Sequence, residues 1–146
     1  MKKDLICGAM ILSFSIALFT GCASKISDGQ EKELKSYQAK GLYVEEKSVG
    51  GAAALGILPG GGSFYTRNYG LGIVNLLFWP ISVLWDPVSG AWGAESINYY
   101  ATKEKVDKEK KFKIQGLERE LENGKIDSAV FIKQKREVED LYNPNL

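Results

Sequence analysis

The side chains that most often carry out chemistry are scarce in this chain of 146 residues. It has no histidine, which removes the commonest general base, the commonest metal ligand and any Ser-His or Cys-His nucleophilic pair. It has two cysteines, Cys7 and Cys22, and no pair of carboxylates can be placed as a general acid and base. We therefore predict no catalytic residue, no metal site and no cofactor, with hydrolysis by isolated carboxylates as the remaining enzymatic alternative.

Asp86 is the one carboxylate that stands beside a long apolar run. A carboxylate within a membrane can serve as a proton or ion site. Asp86 lies at the edge of its run, however, and Pro87 disfavours helical backbone at the residue before it. We predict that Asp86 ends a helix at a membrane boundary, with the proton or ion role as the alternative.

Two glycine-rich stretches raise the question of nucleotide binding. Residues 56–63 lack the lysine and the spacing of a Walker phosphate loop, and residues 70–72 are too short for a dinucleotide fingerprint. The 19 basic and 18 acidic residues nearly balance, so no field of the whole chain favours nucleic acid. The basic run 108–113 is interleaved with acids and predicts a solvated helix face. We predict no nucleotide and no nucleic-acid partner.

Cys22 stands at the end of a segment with the features of a secretory signal. Lysines begin the chain, and residues 5–19 form an apolar and small-residue run about 15 long, too short for the roughly 20 residues of a membrane-spanning helix. The sequence Leu18-Phe19-Thr20-Gly21-Cys22 resembles the lipobox of bacterial lipoproteins. The resemblance implies cleavage after residue 21, a diacylglycerol on the Cys22 thiol and fatty acids such as palmitate at the new N-terminus. An uncleaved anchor with a chance cysteine is the alternative.

The residues after Cys22 predict where the protein resides. Ala23 takes the place of an aspartate, which by analogy with enterobacterial sorting favours the periplasmic face of the outer membrane over the inner membrane. Residues 22–47 are dominated by Ser, Lys, Glu and Gln. We predict that they form a lipidated, solvated tether with at most a helical turn or two.

The middle block, residues 48–100, is apolar, aromatic and rich in glycine. Residues 48–66 and 68–85 carry no charge, so each run could just cross a hydrocarbon layer as a helix, kinked at Pro59 and Pro80. We predict a helical hairpin. Its first arm has small residues at every fourth position, which predict a helix-packing face that a second helix can approach closely: Ala52, Gly56 and Gly60.

The same block is similar to the TM-two domain, a family of two-transmembrane-helix hairpins. That family has a glycine-rich stretch before Phe-Tyr, a glycine after the turn and an aspartate that closes the second helix. The likeness covers residues 50–94 and rests on these positions: Gly61, Gly62, Phe64, Tyr65, Gly72, Trp85 and Asp86. The block lacks the His-Arg that precedes the Phe-Tyr in that family, and Pro87 follows Asp86. These departures leave open whether the hairpin crosses a bilayer or packs at its surface.

Residues 101–146 are charged and have high helix propensity. Residues 102–123 place four apolar side chains on one stripe: Val106, Ile114, Leu117 and Leu121. Gly124 predicts a helix C-cap, and Asp127 predicts the N-cap of a second helix over residues 128–142. The apolar face of that second helix carries Phe131, Val138 and either Leu141 or Tyr142.

This last segment resembles the SHOCT domain, a short helical module. The resemblance rests on a leucine-bearing helix, a glycine, an isoleucine, a capping residue, a phenylalanine and a lysine four places on. The matching positions are Leu117, Leu121, Gly124, Ile126, Phe131 and Lys135. The resemblance implies an interaction or oligomerisation module without catalytic residues.

We therefore predict an all-α chain: a signal peptide (1–21), a lipidated tether (22–47), a TM-two-like hairpin of two short membrane-type helices (48–100) and a SHOCT-like module (101–146). The predicted function is that of a membrane-anchored envelope lipoprotein, a non-enzymatic interaction or structural scaffold. Its predicted partners are membrane lipid and either a second copy or an envelope protein. The alternative is an oligomeric small pore or transport accessory built from the hairpin.

Overall fold

A computed structural model describes residues 25–145; the predicted signal peptide, Cys22 and Ala23 lie outside the described residues. Six α-helices and one 3₁₀ turn, Ile81–Leu84, make up the regular structure of the described part. The prediction of an all-α chain is confirmed there, since these residues contain no strand. In chain order the helices are α1 (Asp28–Ala39), α2 (Val49–Leu55), α3 (Gly61–Tyr65), α4 (Tyr69–Leu77), α5 (Asp86–Glu122) and α6 (Ser128–Leu141).

The described chain divides into two compact units. The first, which we call the apolar unit, contains Lys47–Ile97. The second, which we call the charged unit, contains Ile26–Glu46 and the chain from Asn98 onward. The residues of α5 up to Ile97 belong to the apolar unit and the remainder of the helix to the charged unit.

Neither predicted arm of the hairpin is a continuous helix. The first arm divides into α2 and α3 because Gly60 adopts a left-handed φ of 69°, a conformation that glycine takes at no steric cost. The second divides into α4 and the 3₁₀ turn at Pro80, which has no amide hydrogen to continue the helix. Among the helices of residues 25–145, none combines the length and the apolar character needed to span a membrane.

The prediction that Asp86 ends a helix is wrong. Asp86 is the first residue of α5, which continues for 37 residues. Pro87 is compatible with this position because the first turn of a helix does not use its amide hydrogens for internal hydrogen bonds. The expected start of a new helix near residue 102 is therefore inside a helix that begins 16 residues earlier.

The polar segment expected to be a tether contains α1, a well-capped helix. The Ser27 hydroxyl accepts a hydrogen bond from the Gln30 amide, and the Gln30 side chain accepts one from the Ser27 amide, which is a capping box. Leu34 and Tyr37 of α1 are buried. This segment packs in the charged unit because its few apolar residues share one side of the helix.

Two small apolar clusters form the core of the charged unit. Tyr37 lies with Leu42, Val106 and Tyr142 in one cluster, and the other cluster consists of Ile26, Leu34 and Tyr99. Two fully buried polar side chains of α5 fix the segment that follows α1. Thr102 accepts a hydrogen bond from the Val44 amide at 3.0 Å, and Asn98 accepts one from the Glu46 amide at 2.9 Å.

The end of α5 and the start of α6 are as predicted. Gly124 has a left-handed φ of 68° after the last turn of α5, and the Asp127 carboxylate accepts a hydrogen bond from the Val130 amide at 2.8 Å. On α6, Tyr142 is the buried member of the alternative pair, whereas Leu141 is 42% exposed. The rest of the predicted α5 stripe beyond Val106 is only half-buried: Ile114, Leu117 and Leu121.

The charged unit is expected to lose stability in alkali. Burial, followed by the neighbouring Glu33 carboxylate, raises the pKa of Tyr37 above its usual 10.0. Burial also raises the pKa of Tyr99, whose hydroxyl donates to Glu33 at 2.8 Å. The ionised form of Tyr99 raises the pKa of Lys103. A pKa that is higher in the folded state means that the folded state holds its proton longer than the unfolded state does.

The contribution of these groups to the stability of the charged unit is therefore complete below about pH 10, and it is lost as the pH rises through their folded-state pKa. We expect the thermal midpoint from far-UV circular dichroism to be level up to about pH 9 and to fall above about pH 10. The double variant Tyr37→Phe/Tyr99→Phe should show a shallower alkaline fall, and Tyr100→Phe, at a site that is 59% exposed, should behave as the parent. An unchanged slope in the double variant would contradict this assignment.

Candidate functional site

The centre of the apolar unit is a buried polar network around Asp86. Asp86 is fully buried, and its Oδ1 accepts hydrogen bonds from the Ser63 hydroxyl at 2.5 Å and from the Asn75 amide at 2.6 Å. Its Oδ2 accepts one from the backbone amide of Gly62 at 3.2 Å. A buried carboxyl group must be satisfied in this way, because leaving it without partners costs several kcal/mol.

Three helices supply the members of this network. Ser63 comes from α3, Asn75 from α4 and Asp86 from the start of α5. Asn75 is itself fixed from two sides, since it donates to Ser63 at 3.0 Å and its Oδ1 accepts from the indole of Trp85 at 2.8 Å. The network therefore joins α3, α4 and α5 into one unit.

The network has the arrangement of a structural link between helices. Asp86 and Ser63 are 0% and 1% exposed, so a substrate cannot reach either side chain. The donors around the carboxyl group converge on it and leave little of its acceptor capacity for a ligand. Within the part of the chain that is described, no group of three or more acidic, Cys or His side chains is placed to hold a metal ion.

Backbone contacts between small residues surround the polar network. A Cβ atom added to Gly56 would lie 2.4 Å from the Pro87 nitrogen, and one added to Gly90 would lie 2.9 Å from the Ala52 carbonyl oxygen. One added to Gly62 would lie 2.9 Å from the Asp86 carbonyl oxygen. Glycine at these positions therefore lets the backbones of α2, α3 and α5 touch.

The predicted helix-packing face is divided by this arrangement. Ala52 is fully buried in α2, and Gly56 caps the C-terminus of the same helix. Gly60 lies beyond the end of α2, and a Cβ atom there would meet the Gly72 carbonyl oxygen at 2.3 Å. The three residues are thus engaged within one copy of the chain, two against α5 and α3 and the third against α4.

The structure brings all of the TM-two-like motif positions into the apolar unit. The ring of Phe64 covers Gly72, where an added Cβ would meet it at 2.7 Å, and Gly61 lies against the Leu55 carbonyl oxygen. The Tyr65 hydroxyl accepts from the Ser48 amide at 3.1 Å, and the Lys47 ammonium lies 4.4 Å from the Tyr65 ring centre. Gly62, Trp85 and Asp86 are members of the polar network itself.

Reasoning from the sequence missed Ser63 and Asn75. Asn75 carried a usable signal, because it is the one polar residue between Ile73 and Trp79, and a polar side chain in an apolar run commonly faces a polar interior. Ser82 is a comparable case: it is 1% exposed, and its hydroxyl has no hydrogen-bond partner among the described residues.

The apolar unit is polar inside and apolar outside. Its fully buried apolar side chains, among the described residues, are the small ones Ala52 and Ala94, whereas its buried polar side chains are Ser63, Thr66, Asn75, Ser82 and Asp86. Its large apolar side chains are exposed, reaching 75% at Leu77 and 80% at Leu84. A water-soluble domain has the opposite distribution, and an exposed apolar surface of this extent marks a site of interaction with a protein, a membrane or a ligand.

The SHOCT-like positions lie at the surface of the charged unit. Lys135 lies 5.8 Å from the ring centre of Phe131 on α6, and none of the six matching side chains is fully buried. On α5, before most of these positions, a groove of about 410 Å³ is lined in part by Ile114 and Lys111, and Phe112, which lines a separate groove, is 68% exposed. These helices therefore leave apolar side chains exposed.

Comparison of the chain with protein-family models, with curated proteins and with solved structures finds no match.

Proposed function

We propose that the protein is a membrane-anchored bacterial envelope lipoprotein, a non-enzymatic interaction or structural scaffold. The observation that carries the proposal is the reversed apolar unit, which has its polar side chains inside and its large apolar side chains outside. Such a unit is suited to lipid, where exposed apolar side chains cost nothing and buried polar groups hold helices together. The lipobox-like sequence before Cys22 supports the same membrane location.

In this proposal the three parts have separate tasks. The acylated Cys22 and the TM-two-like apolar unit hold the protein to the membrane, at the periplasmic face of the outer membrane as Ala23 favours. The SHOCT-like helices of the charged unit bind an envelope protein or a second copy. Their exposed apolar side chains, among them Phe112 and Ile132, support that role.

No observation favours the alternative of a small pore. That alternative requires the small-residue face and Asp86 to be available to other copies of the chain. Gly56 is in contact with Pro87 of the same copy, and Asp86 accepts hydrogen bonds from groups of the same copy. The scaffold role requires neither group to be free.

Metabolic labelling with radioactive palmitate tests the anchor directly. In a Gram-negative host, the parent chain should take up label and sediment with the outer membrane, whereas Cys22→Ser should take up none. Cys7→Ser is the matched control, because the other cysteine lies within the predicted signal, and it should be labelled as the parent is. Label retained by Cys22→Ser would refute the lipoprotein assignment.

Cross-linking of intact cells tests the scaffold role. The full-length protein should be captured with an envelope partner or with a second copy, and capture should be reduced when Phe112 and Ile132 are both replaced by glutamine. A protein recovered as an uncross-linked monomer under all conditions would contradict the role.

A further inference from the structure

The exposed apolar side chains of the apolar unit are concentrated in residues 73–85, a segment without any charged residue that we call the wedge. Most of its large apolar side chains are half or more exposed: Ile73, Leu76, Leu77, Phe78, Trp79, Ile81 and Leu84. Its two polar side chains, Asn75 and Ser82, are buried. The wedge therefore presents a wholly apolar outer surface.

We propose that the wedge inserts into the acyl chains of a single leaflet and that it does not reach the opposite face of the bilayer. This inference rests on the proposed function for the membrane location. It adds which surface of the protein enters lipid and how deeply that surface enters. Four observations carry it: the distribution of the apolar side chains, the pairing of backbone amides at the bend of the wedge, the length of α4 and the position of the charges.

Exposed apolar side chains stand on several elements of the apolar unit and are not confined to one helix. On α4 they are Ile73, Leu76 and Leu77, and on the start of α5 they are Val88 and Trp92. A second copy or a protein partner covers one face of a domain, whereas a lipid phase surrounds it. The exposed aromatic rings of Trp79 and Trp92 suit the zone between acyl chains and headgroups.

Five backbone amides at the bend of the wedge are paired within the wedge or with the helix before it, and lipid requires such pairing because it offers no partners. The amides of Phe78, Ile81, Ser82, Val83 and Trp85 all donate to carbonyl oxygens between Val74 and Ser82, at 2.9 to 3.3 Å. Pro80 has no amide hydrogen to satisfy. An irregular segment of this kind can therefore enter hydrocarbon without leaving those donors unpaired.

The length of α4, the helix that leads into the wedge and contains its first five residues, matches one leaflet. The nine residues of α4 extend about 14 Å at about 1.5 Å per residue, which is close to half of a hydrocarbon layer of about 30 Å. The chain then turns back through the 3₁₀ turn and α5. Arg67 lies just before α4, and Glu95 lies in the part of α5 that follows the wedge. Charged residues therefore flank the wedge on both sides in the sequence.

Leaflet-selective quenching of tryptophan fluorescence tests the proposal. The full mature chain with Cys22→Ser is added from dilute detergent to preformed vesicles of phosphatidylethanolamine and phosphatidylglycerol. In one type of vesicle, nitroxide-labelled phosphatidylcholine is placed in the outer leaflet alone. In the other type it is placed in both leaflets, and the outer leaflet holds the same density of label as in the first type. All three tryptophans lie in the apolar unit, two of them in the wedge. The two vesicle types should quench the emission equally.

A second measurement assigns the insertion to the wedge. Leu77→Gln/Leu84→Gln should lower the vesicle partition coefficient about a hundredfold, at about tenfold for each leucine side chain withdrawn from hydrocarbon. Both side chains are exposed, so the far-UV circular dichroism of the variant should match that of the parent. Val130→Gln, at an exposed apolar side chain of the charged unit, should leave partition unchanged.

Three outcomes would overturn the proposal. Additional quenching from the inner leaflet would mean that the unit crosses the bilayer, and no quenching together with a cross-linked dimer would mean that a second copy covers the wedge. Partition unaffected by the double variant would place the membrane contact elsewhere. Each is distinguishable from failure of the proposed anchor, because the chain used here carries no Cys22 and the anchor is read separately by palmitate labelling.

Discussion

Replacing Asp86 by alanine is expected to destabilise the apolar unit by about 3–5 kcal/mol, because several buried donors lose their acceptor at about 1–3 kcal/mol each. The substitution leaves the Gly62 amide and the Ser63 hydroxyl without their acceptor, and it deprives Asn75 of its shorter hydrogen bond.

The conservative variant Asp86→Asn separates the shape of this side chain from its capacity as an acceptor. It keeps one acceptor oxygen but turns an NH₂ group toward donors such as the Gly62 amide. We expect a smaller loss, about 1–3 kcal/mol. The matched control is Glu95→Gln, at the other acidic residue of the apolar unit outside the network, which should change stability by no more than about 0.5 kcal/mol.

Tryptophan fluorescence during denaturant unfolding in detergent micelles measures these differences, because Trp79, Trp85 and Trp92 all lie in the apolar unit. The indole of Trp85 donates to Asn75 and so reports the network at close range. If Asp86→Ala and Glu95→Gln gave the same midpoint, Asp86 would not be the link between the helices.

Gly56→Ala is the second variant with a large expected effect. The new Cβ atom would lie 2.4 to 2.7 Å from backbone atoms of Pro87 and Asp86, and a backbone cannot yield as the end of a flexible side chain can. Overpacking of this kind costs about 1–3 kcal/mol or more, and we expect the upper part of that range, about 3 kcal/mol. The φ of Gly56 is −64°, so the loss would arise from the contact and not from backbone strain.

Gly50→Ala is the control for Gly56→Ala. Gly50 lies in the same helix, α2, with no atom within 4 Å of an added Cβ, and alanine in an exposed helix is favoured over glycine by up to about 1 kcal/mol. The two variants should therefore move the unfolding midpoint in opposite directions, and equal midpoints would contradict the packing described above.

Local signals in the sequence predict much of the charged unit. Gly124 and Asp127 each act within one helical turn, so the end of α5 and the start of α6 follow from the chain near them. The packing of α1 does not follow in this way. Its buried residues contact Tyr99, Val106 and Tyr142, which are more than 60 positions away in the sequence. The face of α1 has too few apolar residues to predict these contacts.

The composition of the apolar unit predicts its apolar character more readily than it predicts how its helices pack. The absence of charge over residues 68–85 and the excess of apolar residues are visible in the sequence. The network is not, because Asp86 is paired with Ser63, 23 residues away, and with Asn75, 11 residues away. Pro59 predicts a kink within one helix, but the turn at Gly60 separates two short helices that pack on each other.

We propose that the outer surface of the apolar unit contacts lipid, and the membrane role of the protein depends on that contact. The mature chain with Cys22→Ser, freed of detergent, tests it through sedimentation velocity followed by flotation with vesicles of phosphatidylethanolamine and phosphatidylglycerol. We predict association or aggregation in buffer alone and recovery in the floating fraction once vesicles are present. A compact monomer that stays monomeric in buffer and remains at the bottom of the gradient would contradict the claim.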